Sequence, residues 1–338
     1  MIRSKPRSGF SLPAVLAVTG MVSLIFLVAM TALRSLTAEA ASARARVQFL
    51  ASALSLEASA AYMVATEPMS PTAVDLGAPR RYDDSVASAA ENADRVRLDG
   101  RAYRVDGARP MIMEFRDQAG LVNLAYLSED GLRRLGAELG LDDRTTRLLG
   151  ARYRDYIDQD DLAQSPGGEG EAYPDGRPPN RTMRTPGEWL SLMGVRDAAD
   201  ARAWRRLRPW LAMDPTSTNE NVNTAGPEAL RILYGATPAQ ISTVVRQREE
   251  APFLSFQNFA AVTGLSDTSG ESFYTFPSGR VVVTVRDTRS AWTYRSRLTL
   301  DPTGLERPVW IDQTELTEAP GRAAADASNA SRLSYAPR

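Results

Sequence analysis

An uncharged, mostly apolar run near the N-terminus constrains this chain more than any other feature of its sequence. The run extends from Phe10 to Leu33, follows three cations of which Arg7 is the last, and is closed by Arg34. As a helix it is about 36 Å long, enough to cross a hydrocarbon core of roughly 30 Å. It therefore predicts a single membrane-spanning helix whose start stays on the cytoplasmic side, beside the cations. The residues of this predicted anchor include Phe10, Leu12, Ala14, Leu16, Leu24 and Leu33.

A Gly-Phe junction distinguishes between the kinds of N-terminal segment that carry such a run. A secretory signal is cut after an apolar core of about 7–15 residues, and 38–40 (Ala-Glu-Ala) offers such a site behind a much longer core. The Gly9-Phe10 junction instead lies at the start of the run, ahead of the rest of its apolar residues. This order resembles the leader of type IV prepilins and their relatives, which implies cleavage after Gly9 by a prepilin peptidase. We favour that interpretation over a secretory signal and over a plain uncleaved anchor.

The composition excludes several classes of chemistry. The 338 residues contain no histidine and no cysteine, which removes Ser-His-Asp and Cys-His nucleophiles, His-ligated metals, zinc-thiolate sites and disulfides. The net charge of −1 predicts no field that would attract nucleic acid. The chain is therefore predicted not to be an enzyme, since catalysis would have to rest on carboxylates, lysine or tyrosine.

The pattern of apolar residues predicts an α+β protein. No Gly or Pro interrupts the chain from Met21 to Glu67, which predicts one continuous helix over about 12–66. Alternating strands are predicted within 94–124 and 280–312, with helices over 128–270 between them. The expected fold is pilin-like, with a long N-terminal helix packed on an antiparallel sheet that contains a large α-helical insertion. The predicted parts are a leader (1–9), the helix (10–67), a first β part (68–122), the inserted helical domain (123–270), a second β part (271–317) and a disordered tail (318–338).

The predicted insertion contains two similar units. Val-Asn-Leu-Ala at 122–125 and Val-Asn-Thr-Ala at 222–225 each end an extended stretch and precede a helix. Asn or Ser/Thr side chains there are expected to cap the helices. The two units resemble SAM-like or helix-hairpin-helix domains.

The leader, the interrupted sheet, the paired units and 252–265 (PFLSFQNFAAVTGL) together resemble the K-type minor pseudopilin family of the type II secretion system. The resemblance implies a non-enzymatic protein anchored once in the inner membrane of a Gram-negative bacterium, with its C-terminal domain in the periplasm. It also implies a place at the pseudopilus tip with I-type and J-type minor pseudopilins, above the major pseudopilin fibre. There the protein would assist fibre assembly and the export of folded proteins across the outer membrane.

Ala14 agrees with that position. It is the fifth residue after Gly9, where most pilin-like subunits carry a glutamate that pairs with the terminal amine of the subunit above. An unpaired carboxylate in lipid costs about 2.5 kcal/mol or more, so a subunit at the tip has no use for it. K-type members characteristically lack this glutamate, although an ordinary membrane anchor would also carry alanine.

An acidic, glycine-rich segment is the remaining candidate site. Asp158, Asp160 and Asp161 are followed by Glu169 and Glu171. Calcium takes six to eight oxygen ligands and accepts irregular loops, although no EF-hand spacing is present here. A similar segment binds calcium in the K-type family, which implies a structural calcium site at these acids. A solvated acidic loop and, less favoured, a paired-carboxylate hydrolase site are the alternatives, and Asp155 is expected to serve only as a helix residue.

The main functional alternative is a membrane-anchored periplasmic protein with a helix-hairpin-helix DNA-binding module. The segment 252–265 also resembles that module in competence-type DNA receptors. The module holds phosphate on the N–H groups of a G-x-G hairpin, whereas 233–239 has one glycine and a proline. Nearby arginines are balanced by Glu249 and Glu250. Nucleic acid is therefore not an expected partner.

Overall fold

The computed structural model divides the chain into two compact units, Met1–Leu54 and Ser55–Arg338. The predicted processing junction, Gly9 and Phe10, lies outside the described residues. The residues that the structure describes are 11–76, 94–107, 109–163, 167–173, 180–266, 273–288, 290–301, 303–304, 306–318, 330–333 and 335.

The predicted N-terminal helix is confirmed, and α1 spans Ser11–Thr66. In its first half the large apolar side chains are exposed, including Leu12 (68%) and Leu33 (55%). The Thr31 hydroxyl donates to the carbonyl of Leu27 at 3.0 Å, so its hydrogen bond is made within the helix itself. Among the described residues, α1 is the one helix long and apolar enough to cross a membrane.

The second unit contains ten strands and seven further helices among its described residues. The strands are β1 (Ala73–Leu76), β2 (Asp94–Arg97), β3 (Asp99–Val105), β4 (Met111–Asp117), β5 (Val122–Asn123), β6 (Leu211–Ala212), β7 (Arg280–Asp287), β8 (Trp292–Leu300), β9 (Val309–Glu318) and β10 (Ser331–Arg332). The helices are α2 (Glu129–Glu138), α3 (Asp143–Ile157), α4 (Val195–Ala198), α5 (Ala201–Leu207), α6 (Pro227–Tyr234), α7 (Pro238–Glu250) and α8 (Phe256–Thr263).

The main sheet has the order β10-β3-β4-β7-β8-β9. Its five long strands pair antiparallel, as predicted, and β4 pairs with β7 across the helical insertion, from Met111 opposite Asp287 to Asp117 opposite Val281. The prediction of a disordered tail is wrong at β10, where Ser331–Arg332 pairs in parallel with β3. A strand of two residues is too short to show the alternating apolar pattern from which strands are predicted. Ser331–Arg332 is a strand only because the exposed edge of β3 offers it a partner.

One face of this sheet, the helix face, packs on the C-terminal part of α1. Ala60 and Met63 of α1 line a cavity of about 80 Å³ together with Met113 and Phe115 of β4. Within the same layer the hydroxyl of Tyr294 donates to the buried carboxylate of Glu57 at 2.7 Å. Burial, the hydrogen bond and the charge of Glu57 all raise the pKa of Tyr294. The pair therefore fixes α1 to β8 through a buried polar contact.

The opposite face, the insertion face, carries arginines that bind the backbone of the insertion. The Arg295 guanidinium is partly buried and donates to the carbonyls of Arg208 (2.9 Å) and Leu211 (3.0 Å). The Arg116 guanidinium lies 4.6 Å from the centre of the Trp210 ring. Burial, followed by the charges of Arg208 and Arg116, lowers the pKa of Arg295. The insertion is thus held by charge-assisted hydrogen bonds to carbonyls.

Asp117 connects β4 to both ends of the insertion. Its fully buried carboxylate accepts hydrogen bonds from Asn221 Nδ2 (3.0 Å), Thr224 Oγ1 (3.0 Å) and the N–H of Ser278 (2.9 Å). Burial raises the pKa of Asp117, and these hydrogen bonds oppose that rise. A single side chain therefore fixes the place where the chain leaves the sheet and the place where it returns.

The asparagines of the two Val-Asn units bind remote backbone instead of capping helices as expected. Asn123 donates to the carbonyl of Asp214 (2.8 Å) and accepts from its N–H (3.0 Å). Asn223 does the same with Phe253, at 2.9 and 2.8 Å. The N-cap of α2 is Ser128, which accepts from the N–H of Gly131. Each side-chain amide thus bonds to both the N–H and the carbonyl of one remote residue, as a neighbouring strand would. The motif occurs twice because each unit makes this contact once.

Replacing Tyr294 by phenylalanine should destabilise the protein by about 1–3 kcal/mol, because Glu57 then loses a buried hydrogen-bond donor. Chemical unfolding of the detergent-solubilised full chain measures the change. Adding Glu57→Gln to that variant should recover part of the loss, since a neutral amide is less costly to bury than a carboxylate. A loss below about 0.5 kcal/mol, within the range of ordinary surface substitutions, would show that the pair does not hold α1.

Candidate metal centre

The C-terminal end of α3 brings two carboxylates onto one side of the helix. Asp155 lies in the last turn and is fully buried, and Asp158 is the C-cap, with its N–H donating to the carbonyl of Arg154 at 3.0 Å. Residues three apart are neighbours on a helix surface. The helix dipole is negative at this end, so both acids lie in an unfavourable field unless a cation is near.

A glycine-rich loop adds a third carboxylate. The N–H of Gly168 donates to Asp155 Oδ2 at 2.7 Å, which fixes the loop against α3 and places Glu169 beside it. A Cβ on Gly168 would lie 3.0 Å from the Met193 side chain and 3.1 Å from Ala172, so a larger residue would push the loop away. One ligand oxygen from each of Asp155, Asp158 and Glu169 lies within 4.8 Å of the other two.

The electrostatics of this acidic group favour a bound cation. Both carboxylate oxygens of Glu169 are buried and accept no well-formed hydrogen bond. Burial raises the pKa of Glu169, and the charges of Asp158, Asp155 and Asp161 raise it further. A cation would satisfy these oxygens and relieve the repulsion. Hard oxygen ligands in an irregular loop are the donors that calcium takes, with backbone carbonyls or water completing its shell.

The structure brings only some of the predicted metal ligands together. Asp158 and Glu169 belong to the acidic group, and so does Asp155, which was expected to be only a helix residue. Asp160 and Asp161 are exposed and lie outside the group, and Asp160 accepts from the N–H of Leu162 at 2.9 Å. The side chain of Glu171 lies outside the described residues. The spacing of three between Asp155 and Asp158 was the available signal for the missed residue.

The hairpin that would bind phosphate in the DNA-binding alternative uses its N–H groups internally. Gly235 donates to Arg231 (3.0 Å) and Ala236 to Leu230 (3.3 Å), while Thr237 donates to the Gln240 side chain at 3.0 Å. Arg248 is buried and donates to the carbonyl of Ala225 at 2.6 Å. These donors are therefore not directed at solvent, and the geometry gives the DNA alternative no support.

Comparison with known proteins identifies relatives of the insertion and of the fold. Residues 120–216 match the family model of type II secretion system (T2SS), protein K. A type II secretion system protein K of Pseudomonas aeruginosa is 28% identical over 187 residues, 51% of this chain and 55% of the relative. One of Dickeya chrysanthemi is 28% identical over 137 residues, 40% of this chain and 38% of the relative. The chain thus spans about half the length of the curated relatives it matches, or less.

A solved structure with a similar fold is a chain of the GspK-GspI-GspJ complex from the enterotoxigenic Escherichia coli type 2 secretion system. It aligns with a TM-score of 0.54 and 15% identity, over 82% of this chain and 99% of that chain. At that identity the likeness concerns the fold, and it agrees with the α+β architecture described above. The resemblance to type II secretion system protein K that the sequence predicts is confirmed by the family model and the curated relatives.

Proposed function

We propose that this chain is a minor pseudopilin of a type II secretion system. The observation that carries the proposal is the protein K match over 120–216, which begins where β4 ends and covers the first part of the insertion. The order of elements supports it, because a long apolar helix precedes a sheet that the insertion interrupts. The proposed role is structural rather than catalytic, with the acidic group holding a metal ion.

The first half of α1 is the proposed membrane anchor. Its exposed apolar side chains, among them Leu16 (64%) and Leu24 (60%), have no polar face that would suit water on one side. Lipid is the surrounding that such a surface fits. With cations before the run, the chain would cross the inner membrane once and carry its second unit in the periplasm.

The proposed partners are the I-type and J-type minor pseudopilins. The solved structure of similar fold is a complex of GspK with GspI and GspJ, and that composition motivates the proposal for this chain. Ala14 supports a place at the tip, above the major pseudopilin fibre, where no further subunit presents an amine. There the chain would assist fibre assembly and protein export across the outer membrane.

Calcium is the proposed occupant of the acidic group, held by Asp155, Asp158 and Glu169. Its structural effect would be to tie the loop at Gly168 to the end of α3, next to the core of the insertion. Tyr156 and Tyr173 lie on either side of that junction, with ring centres 6.1 Å apart. Ordering the loop would therefore also order the packing of these rings.

Calcium should raise the melting temperature of the detergent-solubilised full chain, and a chelator should reverse the rise. Free calcium at 100 times the Kd adds about 2.7 kcal/mol to the free energy of unfolding. Each kcal/mol raises the melting temperature by about 2–4 °C for a unit of this size. Glu169→Gln should abolish the response, because the amide cannot neutralise the ion. Asp160→Asn, an exposed control in the same segment, should keep it. Equal loss in both variants would contradict the assignment of ligands.

The pH dependence in chelator tests the same site without metal. Because the folded-state pKa of Glu169 is raised, the ionised side chain is disfavoured in the folded protein. The stability that protonated Glu169 contributes is fully present below the unfolded-state pKa and is lost as the pH rises through the folded-state pKa. Glu169→Gln should therefore gain stability over the wild type as the pH rises. A stability difference that does not change with pH would contradict the unfavourable charge at Glu169.

Co-expression with a prepilin peptidase should produce a mature chain that starts at Phe10. The mass of the N-terminal peptide measures the cut directly. Gly9→Val should keep the leader, whereas Gly20→Ala should be processed normally, since nothing lies within 4 Å of the added Cβ. A chain that starts at Ala41 would identify an ordinary secretory signal and overturn the pseudopilin proposal.

A further inference from the structure

A cavity of about 350 Å³ opens beside β2 and β3, away from the acidic group. Its walls come from the β1–β2 ribbon, β3, β10 and the C-terminal end of α7. Four of its lining residues are arginines, opposed by one carboxylate. The charged lining residues are Arg95, Arg97, Arg101, Arg332 and Glu249. A cavity of this size is within the range of small-ligand sites.

Arg97 is the unusual member of this lining. Its side chain is only 9% exposed, and the buried Nε and Nη2 atoms make no hydrogen bond. Among the described side chains, the nearest carboxylate oxygens are those of Asp99, 3.4 Å from Nε, and of Glu249, 3.4 Å from Nη2. Buried guanidinium nitrogens that make no hydrogen bond are costly, so Nε and Nη2 of Arg97 are donors in need of an acceptor.

The local charge is positive. Among the residues that the structure describes, Arg97, Arg101 and Arg248 face only Asp99 and Glu249, which leaves three guanidinium groups against two carboxylates. The two remaining arginines are paired outside this group. Their partners are Asp75 for Arg95 and Asp106 for Arg332. An additional negative group would therefore balance the cluster.

The surrounding backbone holds the cluster in place. The hydroxyl of Tyr103, on β3, accepts from the N–H of Arg97 at 2.7 Å and donates to the carbonyl of Arg95 at 3.3 Å. Tyr103 is itself buried and packs edge-on against Phe115 at 6.2 Å between ring centres. The position of Arg97 is thus fixed by the main sheet, and the site is pre-organised.

We propose that this cavity binds an oxyanion, a carboxylate or phosphate group, between Arg97 and Arg101. Guanidinium forks match the geometry of both groups. Glu249 shows where the ligand would lie, since its Oε1 is 2.8 Å from Arg101 Nη2 and 3.4 Å from Arg97 Nη2. The Glu249 side chain is 43% exposed at the end of α7, so an incoming oxyanion can displace it. The inference is independent of the proposed pseudopilin function, because it rests on these side chains alone.

The oxyanion can be a free ion or an acidic side chain of a partner polypeptide. Titration calorimetry on the detergent-solubilised full chain distinguishes these two sources. Inorganic phosphate probes a free ion. A blocked Thr-Glu-Thr-Glu-Thr peptide, compared with the same peptide carrying glutamine for glutamate, probes the acidic side chains of a partner polypeptide. Saturable binding of phosphate, or of the glutamate peptide in preference to the glutamine peptide, supports the site and identifies the source.

Three variants test whether the bound group lies in this cavity. Arg101→Gln should weaken binding about tenfold, the size expected for one charge-assisted hydrogen bond. Glu249→Gln should strengthen it, because the competing carboxylate is removed. Arg104→Gln is the matched control, since Arg104 lies on the same strand, is 49% exposed against 48% for Arg101, and pairs with Asp106 outside the cavity. It should leave binding unchanged.

A purely structural role for the cluster would not make Arg101→Gln and Glu249→Gln change affinity in opposite directions. The proposal is overturned if neither probe binds, if Arg104→Gln weakens binding as much as Arg101→Gln, or if Glu249→Gln weakens it.

Discussion

The pairing of β4 with β7 joins two strands that are separated in the sequence by the whole helical insertion, and the position of every other part of the second unit depends on it. Closing a long loop costs little more than closing a shorter one, so the sheet tolerates the insertion provided that its ends meet. Asp117 makes them meet, because its buried carboxylate accepts from Asn221, Thr224 and Ser278. β4, β7 and the insertion are therefore fixed by one buried set of hydrogen bonds.

The insertion is then held by polar contacts that specify its position. Arg295 and its neighbours bind carbonyls of the segment around Arg208, while Asn123 and Asn223 each complete a strand-like pair with remote backbone. Such contacts are directional, so they fix orientation where apolar packing would allow sliding. The end of α3 and the loop at Gly168 are placed by this scaffold, which makes the acidic group a property of the insertion's fold.

The sequence was sufficient for the elements that carry a strong pattern. The apolar run, the helical spacing after it and the alternating strands predicted α1 and the antiparallel sheet, and the paired motifs predicted the protein K resemblance. Contacts made through tertiary structure were not predictable in this way. β10 is a strand only because β3 offers an edge, and Asp155 joins the acidic group only because the loop folds back to it. Asp160 has the residue type that the pattern requires, but its backbone directs it to solvent.

We propose that this chain works as one subunit of a minor-pseudopilin complex, and reconstitution tests that proposal most directly. The full chain is co-expressed with the I-type and J-type minor pseudopilins of its own organism, extracted in detergent and purified through a tag on this chain alone. We expect one complex that contains all three proteins on size exclusion with light scattering. We also expect that the major pseudopilin, supplied in place of the two minor ones, does not co-purify with this chain. Elution of this chain free of both minor pseudopilins would contradict the proposed complex.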